Sequence, residues 1–281
     1  MLKKTRSYQK VVERLKKISL NSPFINLIQL GTIAIPPDLL YPFYQVQTKN
    51  PEKGKIPTQT RICLTAGTHG NEPSGVEAVL LFLEQYWKEK LGETGYHLTI
   101  FPCLNPYGYE HNTRENMENV DLNRQFRKRK APLEVTLFRQ AVGPRPFDIS
   151  IEFHEDIDTH GFYLYEINPN GEKGWGKYII QAIEKHFPIN HHSKIDGLKS
   201  RKGIITRQDI EPQFETLIQE RKDWPQAFFH YTRGTPRCIT SETPVHLPLK
   251  DRARIHLIAM DVILERIQKT VKTKRTAGKE G

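Results

Sequence analysis

Apolar residues near the start of the chain recur at helical spacing. Val11, Val12, Leu15 and Ile18 fall on one stripe, which predicts an amphipathic helix over 8–18. Residues 27–33 and 41–46 read as two strands, and Asn50–Gly54 reads as a turn. Ile62-Cys63-Leu64 is the apolar centre of a strand over 61–66. Val76, Val79, Leu80, Leu83 and Trp87 restore helical spacing over 74–88, and Gly92 and Gly95 end that helix. Residues 97–104 are largely apolar, as in a central strand, and run into the turn signal Asn105-Pro106-Tyr107-Gly108. Residues 109–130 are polar without clear periodicity and predict a long ordered loop, the kind of segment that carries sites.

Pro132 opens a helix over 132–141. Residues 147–153 alternate in part, as a strand that delivers His154 at its end. Further elements are a strand at 162–165, a helix over 174–187, a last strand at 237–241 followed by Glu242, and a helix over 249–270. Residues 188–225 carry no pattern that places them. Helices alternating with strands, and motifs at strand ends, predict an α/β fold with a mixed central sheet flanked by helices. No Gly/Ser- or Pro-rich linker interrupts the pattern, so one domain is expected over 1–270, with a basic, disordered tail over 271–281.

Composition changes this picture little. At 281 residues, with 37% hydrophobic and 26% charged residues, the chain can bury one large core. No apolar run approaches the roughly 20 residues of a membrane helix. The basic start, Met1 to Tyr8, has no apolar segment behind it, so a cytoplasmic protein is expected. Cys63, Cys103 and Cys238 lack the close spacing of a thiolate metal site and read as buried free thiols. The net charge of +10 concentrates at Lys3–Lys17, Arg127–Lys130 and Lys269–Lys279. Without a nucleic-acid motif or an aromatic platform these read as solvated faces, and nucleic acid is not the expected partner.

The chemistry gathers at presumed strand ends. His69 and Glu72, three apart in the glycine-bearing turn Thr65–Ser74, can both point at one metal ion. A catalytic zinc needs a third protein ligand, and His154 is the best candidate because it too closes a strand. The other histidines considered, His111, His160, His186, His191, His192, His230, His246 and His256, read as mostly surface residues. Glu242 sits on the same presumed edge and suits a general base. Arg114 and Arg124 share the long loop with Asn116 and Asn123, a pairing that suits a substrate carboxylate. Glu155, Asp156 and Asp158 could face the mouth of such a site and favour an amino group, or simply form a hydrated loop.

These residues carry a resemblance. His69-Gly70-Asn71-Glu72 resembles the HxxE motif of the zinc carboxypeptidase (carboxypeptidase A-type) family. Asn105–Gly108, Thr113–Asn116 and Val120–Phe126 resemble its NPxG, RxN and VDLNRxF blocks, Phe153-His154 its third-ligand strand, and Tyr231–Thr243 its final block. The wording is closest to compact bacterial members resembling murein peptide amidase. The resemblance implies a three-layer carboxypeptidase-like sandwich and one Zn2+ on His69, Glu72 and His154. It implies Glu242 as the general base for water on the zinc and Arg114 as the group that polarises the scissile carbonyl. Asn123 and Arg124 would hold a carboxylate, Asp121 would orient a zinc histidine, and Thr240 would line the specificity pocket. Two departures stand out: Gly70-Asn71 replaces the arginine-bearing pair of the digestive enzymes, and Gln219–Lys222 stands where many members carry a tyrosine that closes over substrate.

The expected activity is hydrolysis of a C-terminal or murein-type peptide amide bond. An N-acyl amino acid deacylase of the aspartoacylase or succinylglutamate desuccinylase type is the alternative with the same chemistry. A non-catalytic polyanion-binding protein on the same fold is the alternative of another class, and it predicts neither zinc nor hydrolysis.

Overall fold

The computed structural model describes residues 3–35, 38–48, 60–86, 96–169, 172–206 and 213–277. The turn expected at 50–54, and Trp87, Gly92 and Gly95, lie outside them. Helix α1 (Tyr8–Leu20) buries Val11, Val12, Leu15 and Ile18, the stripe read from the sequence, and Ser7 caps its start by accepting from the Lys10 N–H. Strands β1 (Ile25–Ile35) and β2 (Leu39–Thr48) form an antiparallel pair. Then come β3 (Thr60–Ala66), α2 (Pro73–Leu81) with a π-helical turn over Phe82–Tyr86, and β4 (Tyr96–Phe101). Helix α3 (Pro106–His111), α4 (Leu133–Val142), β5 (Ile149–Asp156), β6 (Tyr163–Ile167) and α5 (Gly176–Ile183) follow. The segment that resisted sequence reading holds short pieces: β7 (Lys194–Ile195), β8 (Leu198–Lys199), β9 (Ile204–Thr206) and α6 (Phe214–Glu220). Helix α7 (Gln226–Thr232), β10 (Arg237–Pro244) and α8 (Leu249–Ala277) complete the chain, α8 continuing seven residues past the expected boundary at 270.

Eight strands form one mixed sheet in the order β1-β2-β4-β3-β5-β10-β6-β9. Strands β4, β3, β5 and β10 run parallel at its centre, while β2 and β6 flank them antiparallel. The chain leaves β3 for β4 on one side and returns to β5 on the other. That reversal opens a crevice at the C-terminal ends of β3 and β5, where ligands bind in open α/β sheets.

Helices cover both faces. Gly75 of α2 and His256 of α8 pack on Phe153 from one side. Phe138 of α4 and Phe229 of α7 pack with Phe101 and Phe126 on the other. A strand covered on both faces is buried at nearly every position, as β5 is through Glu155. This explains why Phe147–Phe153 alternates only partly. No helix among the described residues is long and apolar enough to cross a membrane.

Candidate metal centre

His69 and Glu72 occupy the turn between β3 and α2. Gly67, with φ +62°, allows the turn, and Gly70 allows the backbone of this turn to lie against Gly108 of α3. A Cβ at Gly70 would stand 1.8 Å from the Gly108 carbonyl carbon. The Gly70-Asn71 departure thus has a packing cause: no side chain fits at the first of these positions.

β5 extends two residues beyond His154, and β10 two residues beyond Glu242, so both lie inside their strands rather than after them. The register pairs Glu242 with His154 on one side and with Tyr163 on the other. With period-two alternation, Glu152, His154, Thr240, Glu242, Tyr163 and Tyr165 share one face.

His69, Glu72 and His154 are all buried, and one ligand atom from each falls within 4.8 Å of the others. Glu72 Oε1 lies 2.6 Å from His69 Nδ1 and Glu72 Oε2 lies 2.8 Å from His154 Nδ1. Two imidazole nitrogens and a carboxylate are the donor set of a three-ligand catalytic zinc site. The rest of the site supports that use. His69 Nε2 lies 3.1 Å from Asp121 Oδ1, so a proton on Nε2 donates to Asp121 and leaves Nδ1 free to ligate. Burial alone would raise the pKa of Glu72, but the two imidazoles pull it down to about 2. Burial would lower the pKa of His154, yet Glu72, Glu152 and Glu242 drive it well above the ordinary imidazole value. A cluster this anionic stabilises positive charge between Glu72 and His154.

Asp121 is the hub of the loop. Besides His69, it accepts from the Asn123 N–H at 2.8 Å and from Arg114 Nε at 3.1 Å. Burial opposes its ionisation, but His69, Arg114 and Arg124 depress its pKa below the ordinary carboxylate range. Arg114 also approaches Glu72 Oε1 at 3.6 Å. Asn123 Oδ1 accepts from the Gln226 N–H at 2.9 Å, which joins the loop to the start of α7. Arg124 Nη1 donates to the Asn123 carbonyl and has no carboxylate partner among the described residues. The loop is ordered from within by Asn116, whose Oδ1 accepts from the Glu118 and Val120 N–H groups.

Every residue that the resemblance assigned to the site except Asp121 lines one cavity of about 530 Å³, and Asp121 stands behind His69. Glu155 and Asp156 also contribute to its wall, whereas Asp158 and Asn116 do not, Asn116 donating to Glu134 instead. Glu242 is pushed up to about 8, by burial first and by Glu72, Asp156 and Asp196 besides. Among the lining residues that the sequence did not single out are the polar Glu152, Tyr163, Tyr165, Asp196 and Arg221. Strand period two from His154 could have flagged Glu152. Tyr163 and Tyr165 donate to Asp156 and Asp196, with oxygens 3.0 and 2.5 Å apart. Asp196 sits with φ +50° at the tip of the β7–β8 hairpin, a contact that no local pattern announces. Arg221 belongs to Gln219–Lys222, so a guanidinium lines the cavity from the segment where a tyrosine was sought.

Other expectations need correction. His111, His230 and His256 are buried, not at the surface. His111 Nδ1 lies 2.9 Å from the Tyr107 carbonyl, and His256 pairs with Ser241 at 2.8 Å. Burial lowers the pKa of His230 and of His256 to about 3, so both are neutral packing elements. Glu155 faces inward as well: it accepts from the Ser74 N–H at the start of α2 and pairs with Arg252 of α8. Arg127, from the basic group at 127–130, donates to the carbonyls of Gln219 and Arg221 and lies over the Trp224 ring. It fixes the segment that carries Arg221.

The fold and the His–Glu–His triad define a carboxypeptidase-like α/β scaffold with a candidate metal centre at its sheet edge. Residues 53–140 match a family described as a protein of unknown function, DUF2817. Carboxypeptidase SOL1 of Arabidopsis thaliana is 32% identical over 93 residues, which cover 31% of this chain and 19% of that protein. Carboxypeptidase E of Caenorhabditis elegans is 29% identical over 138 residues, covering 41% and 28%. The matched stretches therefore span less than a third of either relative's length. A metallo-carboxypeptidase from Burkholderia cenocepacia superposes with a TM-score of 0.63 at 16% identity, covering 94% of this chain and 70% of that one. The product-bound cell shape determinant protein Csd4 from Helicobacter pylori gives 0.60 at 19% identity, covering 80% and 55%. The resemblance to zinc carboxypeptidases read from the sequence, and the three-layer fold it implied, are borne out.

Proposed function

We infer that the protein is a zinc-dependent hydrolase of a C-terminal or murein-type peptide amide bond. The observation that carries this reading is the convergence of two imidazole nitrogens and one carboxylate within 4.8 Å, with Glu242 beside His154 in the strand register. His69 Nδ1, Glu72 and His154 Nδ1 would hold the ion, and Asp121 would fix the His69 tautomer. Zinc in that place supplies Lewis acidity toward a carbonyl oxygen and toward water.

The chain's own groups do the rest. Glu242, as carboxylate, takes a proton from the attacking water and returns it to the departing nitrogen. Arg114 donates to the carbonyl oxygen as it gains negative charge, and its bond to Asp121 holds it in reach. Asn123 and Arg124 hold a substrate carboxylate beside the scissile bond, with Arg124 supplying a guanidinium free of carboxylate partners among the described residues. Thr240 lines the cavity below Glu242.

The N-acyl amino acid deacylase reading uses the same groups and differs in substrate size. The test is a mass-spectrometric screen of the zinc-loaded protein against a peptide library with diaminopimelate-containing members, and against N-acyl amino acids. Release of a terminal residue or an amide fragment from peptides supports the peptidase. Turnover of N-acyl amino acids alone transfers the function to the deacylase. Absence of both, with salt-sensitive binding to polyanions, leaves the non-catalytic alternative.

A further inference from the structure

Glu152 is the one acidic residue of the cavity whose chemistry is unspent. It lies in β5 two residues before His154, is 1% exposed, and lines the cavity. Among the described residues neither of its carboxylate oxygens accepts a hydrogen bond. Its nearest cation is His154 Nε2 at 3.7 Å, outside hydrogen-bond range. The neighbouring acids are engaged elsewhere: Glu155 by Ser74 and Arg252, Asp156 by Tyr163, Asp196 by Tyr165, and Glu166 by the Trp175 and Gly176 N–H groups. A buried carboxylate without donors is costly, and folded proteins keep one where function requires it.

Its position suits a substrate contact. The register sets Thr65, Glu152, Thr240 and Tyr165 side by side, one row below His154, Glu242 and Tyr163. Thr65 holds Gln226 Nε2 at 3.0 Å, and the Gln226 Oε1 also lacks a donor. Thr65 and Tyr165 spend their hydroxyl protons on the Ile151 carbonyl and on Asp196, which leaves the Glu152 carboxylate and Gln226 Oε1 as acceptors without a donor. A primary ammonium brings three donors and no acceptor, together with the charge that a carboxylate needs.

We propose that Glu152 is a specificity-determining residue that receives the primary ammonium of the substrate residue occupying the cavity. The inference rests on the hydrolase reading above and narrows its substrates to amides of amine-bearing residues. Lysine and diaminopimelate both offer that group on a flexible chain, and the second adds a carboxylate.

The test compares kcat/KM of the zinc-loaded protein on acyl-peptides that differ only in the last residue: lysine, diaminopimelate or norleucine. Wild type should favour lysine or diaminopimelate over norleucine by about tenfold or more, the range of a charge-assisted contact, and the two amines rank the sources. Glu152→Gln should bring that ratio close to one. A wild-type ratio near one overturns the proposal. So does a variant in which all substrates fall together with zinc content while the ratio holds, because Glu152 would then only orient His154. Calorimetric binding of free lysine and norleucine to the same zinc-loaded protein separates this proposal from the hydrolase reading. Glu152-dependent preference for lysine without any hydrolysis would sustain the proposal and sink that reading, whereas equal binding overturns the proposal whatever the activity.

Discussion

At the scale of single residues the site is a set of charges that constrain one another, and Glu242 is the most exposed to test. Glu242→Gln keeps the shape of the side chain and removes the proposed base, so zinc content should be unchanged while kcat falls by roughly 10²–10⁴-fold. Normal turnover in that variant would remove Glu242 from its role. The same carboxyl makes a metal-free prediction. Its folded pKa is raised to about 8 by burial, so its stabilising contribution is full below the unfolded value and is lost as pH rises through 8. Metal-free Glu242→Gln should therefore gain stability over metal-free wild type as pH climbs from 5 to 9, read as a widening difference in Tm. Glu72 runs the other way: its pKa of about 2 gives stability above the ordinary carboxylate value that is lost as pH falls toward 2. The grouping of residues was legible in the sequence where several of them shared a motif, as with His69, Glu72, Asp121 and Asn123, which the fold brings together. It was illegible for His230 and His256, because a lone histidine in a helix gives no sign of which neighbours will bury it.

At the scale of elements, strong periodicity translated directly into structure. The stripe of α1 and the apolar β3 and β4 stand where their patterns placed them, within a few residues, and α8 starts where expected but runs seven residues further. Glu242 and His154 were placed just past strand ends because polar residues look like terminators. In the fold the strands continue: the backbone ladder runs on past these positions while the side chains that line the cavity turn polar. The segment 188–225 failed for a different reason: β7, β8 and β9 are two or three residues long, too short to show a period. Contacts between elements also need a fold to be seen, and Gly70 is the sharpest case. Gly70→Ala would drive a methyl into the backbone of α3. It should cost about 3 kcal/mol or more, and because the turn also carries His69 and Glu72, zinc occupancy should fall with it. Chemical denaturation together with metal analysis reads both effects; full stability and full zinc occupancy in the Gly70→Ala variant would mean that the two backbones do not meet so closely. Glu155 ties α2 to α8 through Ser74 and Arg252 in a buried pair. Its replacement by Ala leaves Arg252 uncompensated and should cost about 3 kcal/mol, read by chemical denaturation, while the backbone N–H of residue 155 keeps its bond to Glu72 Oε2 at 3.2 Å.

At the scale of the whole molecule, the candidate metal centre is a junction between distant parts of the chain. His69 and Glu72 follow β3, Asp121 comes from the loop after α3, His154 from β5, and Glu242 from β10. The sheet order brings β3, β5 and β10 together although about 80 residues separate each from the next. An ion held by the turn after β3 and by β5 cross-links those two segments only in the folded state. Binding must then add stability by linkage, about 4 kcal/mol when free zinc exceeds its dissociation constant a thousandfold. The expected outcome is a rise in Tm on adding zinc to chelator-treated protein, reversed by renewed chelation and greatly reduced in His154→Ala. Glu242→Gln should retain the rise, because Glu242 lies outside the triad. A Tm unmoved by zinc, or moved equally in His154→Ala, would show that the triad does not hold the ion. A rise without hydrolysis of any amide would keep the metal centre and remove the catalytic reading built on it.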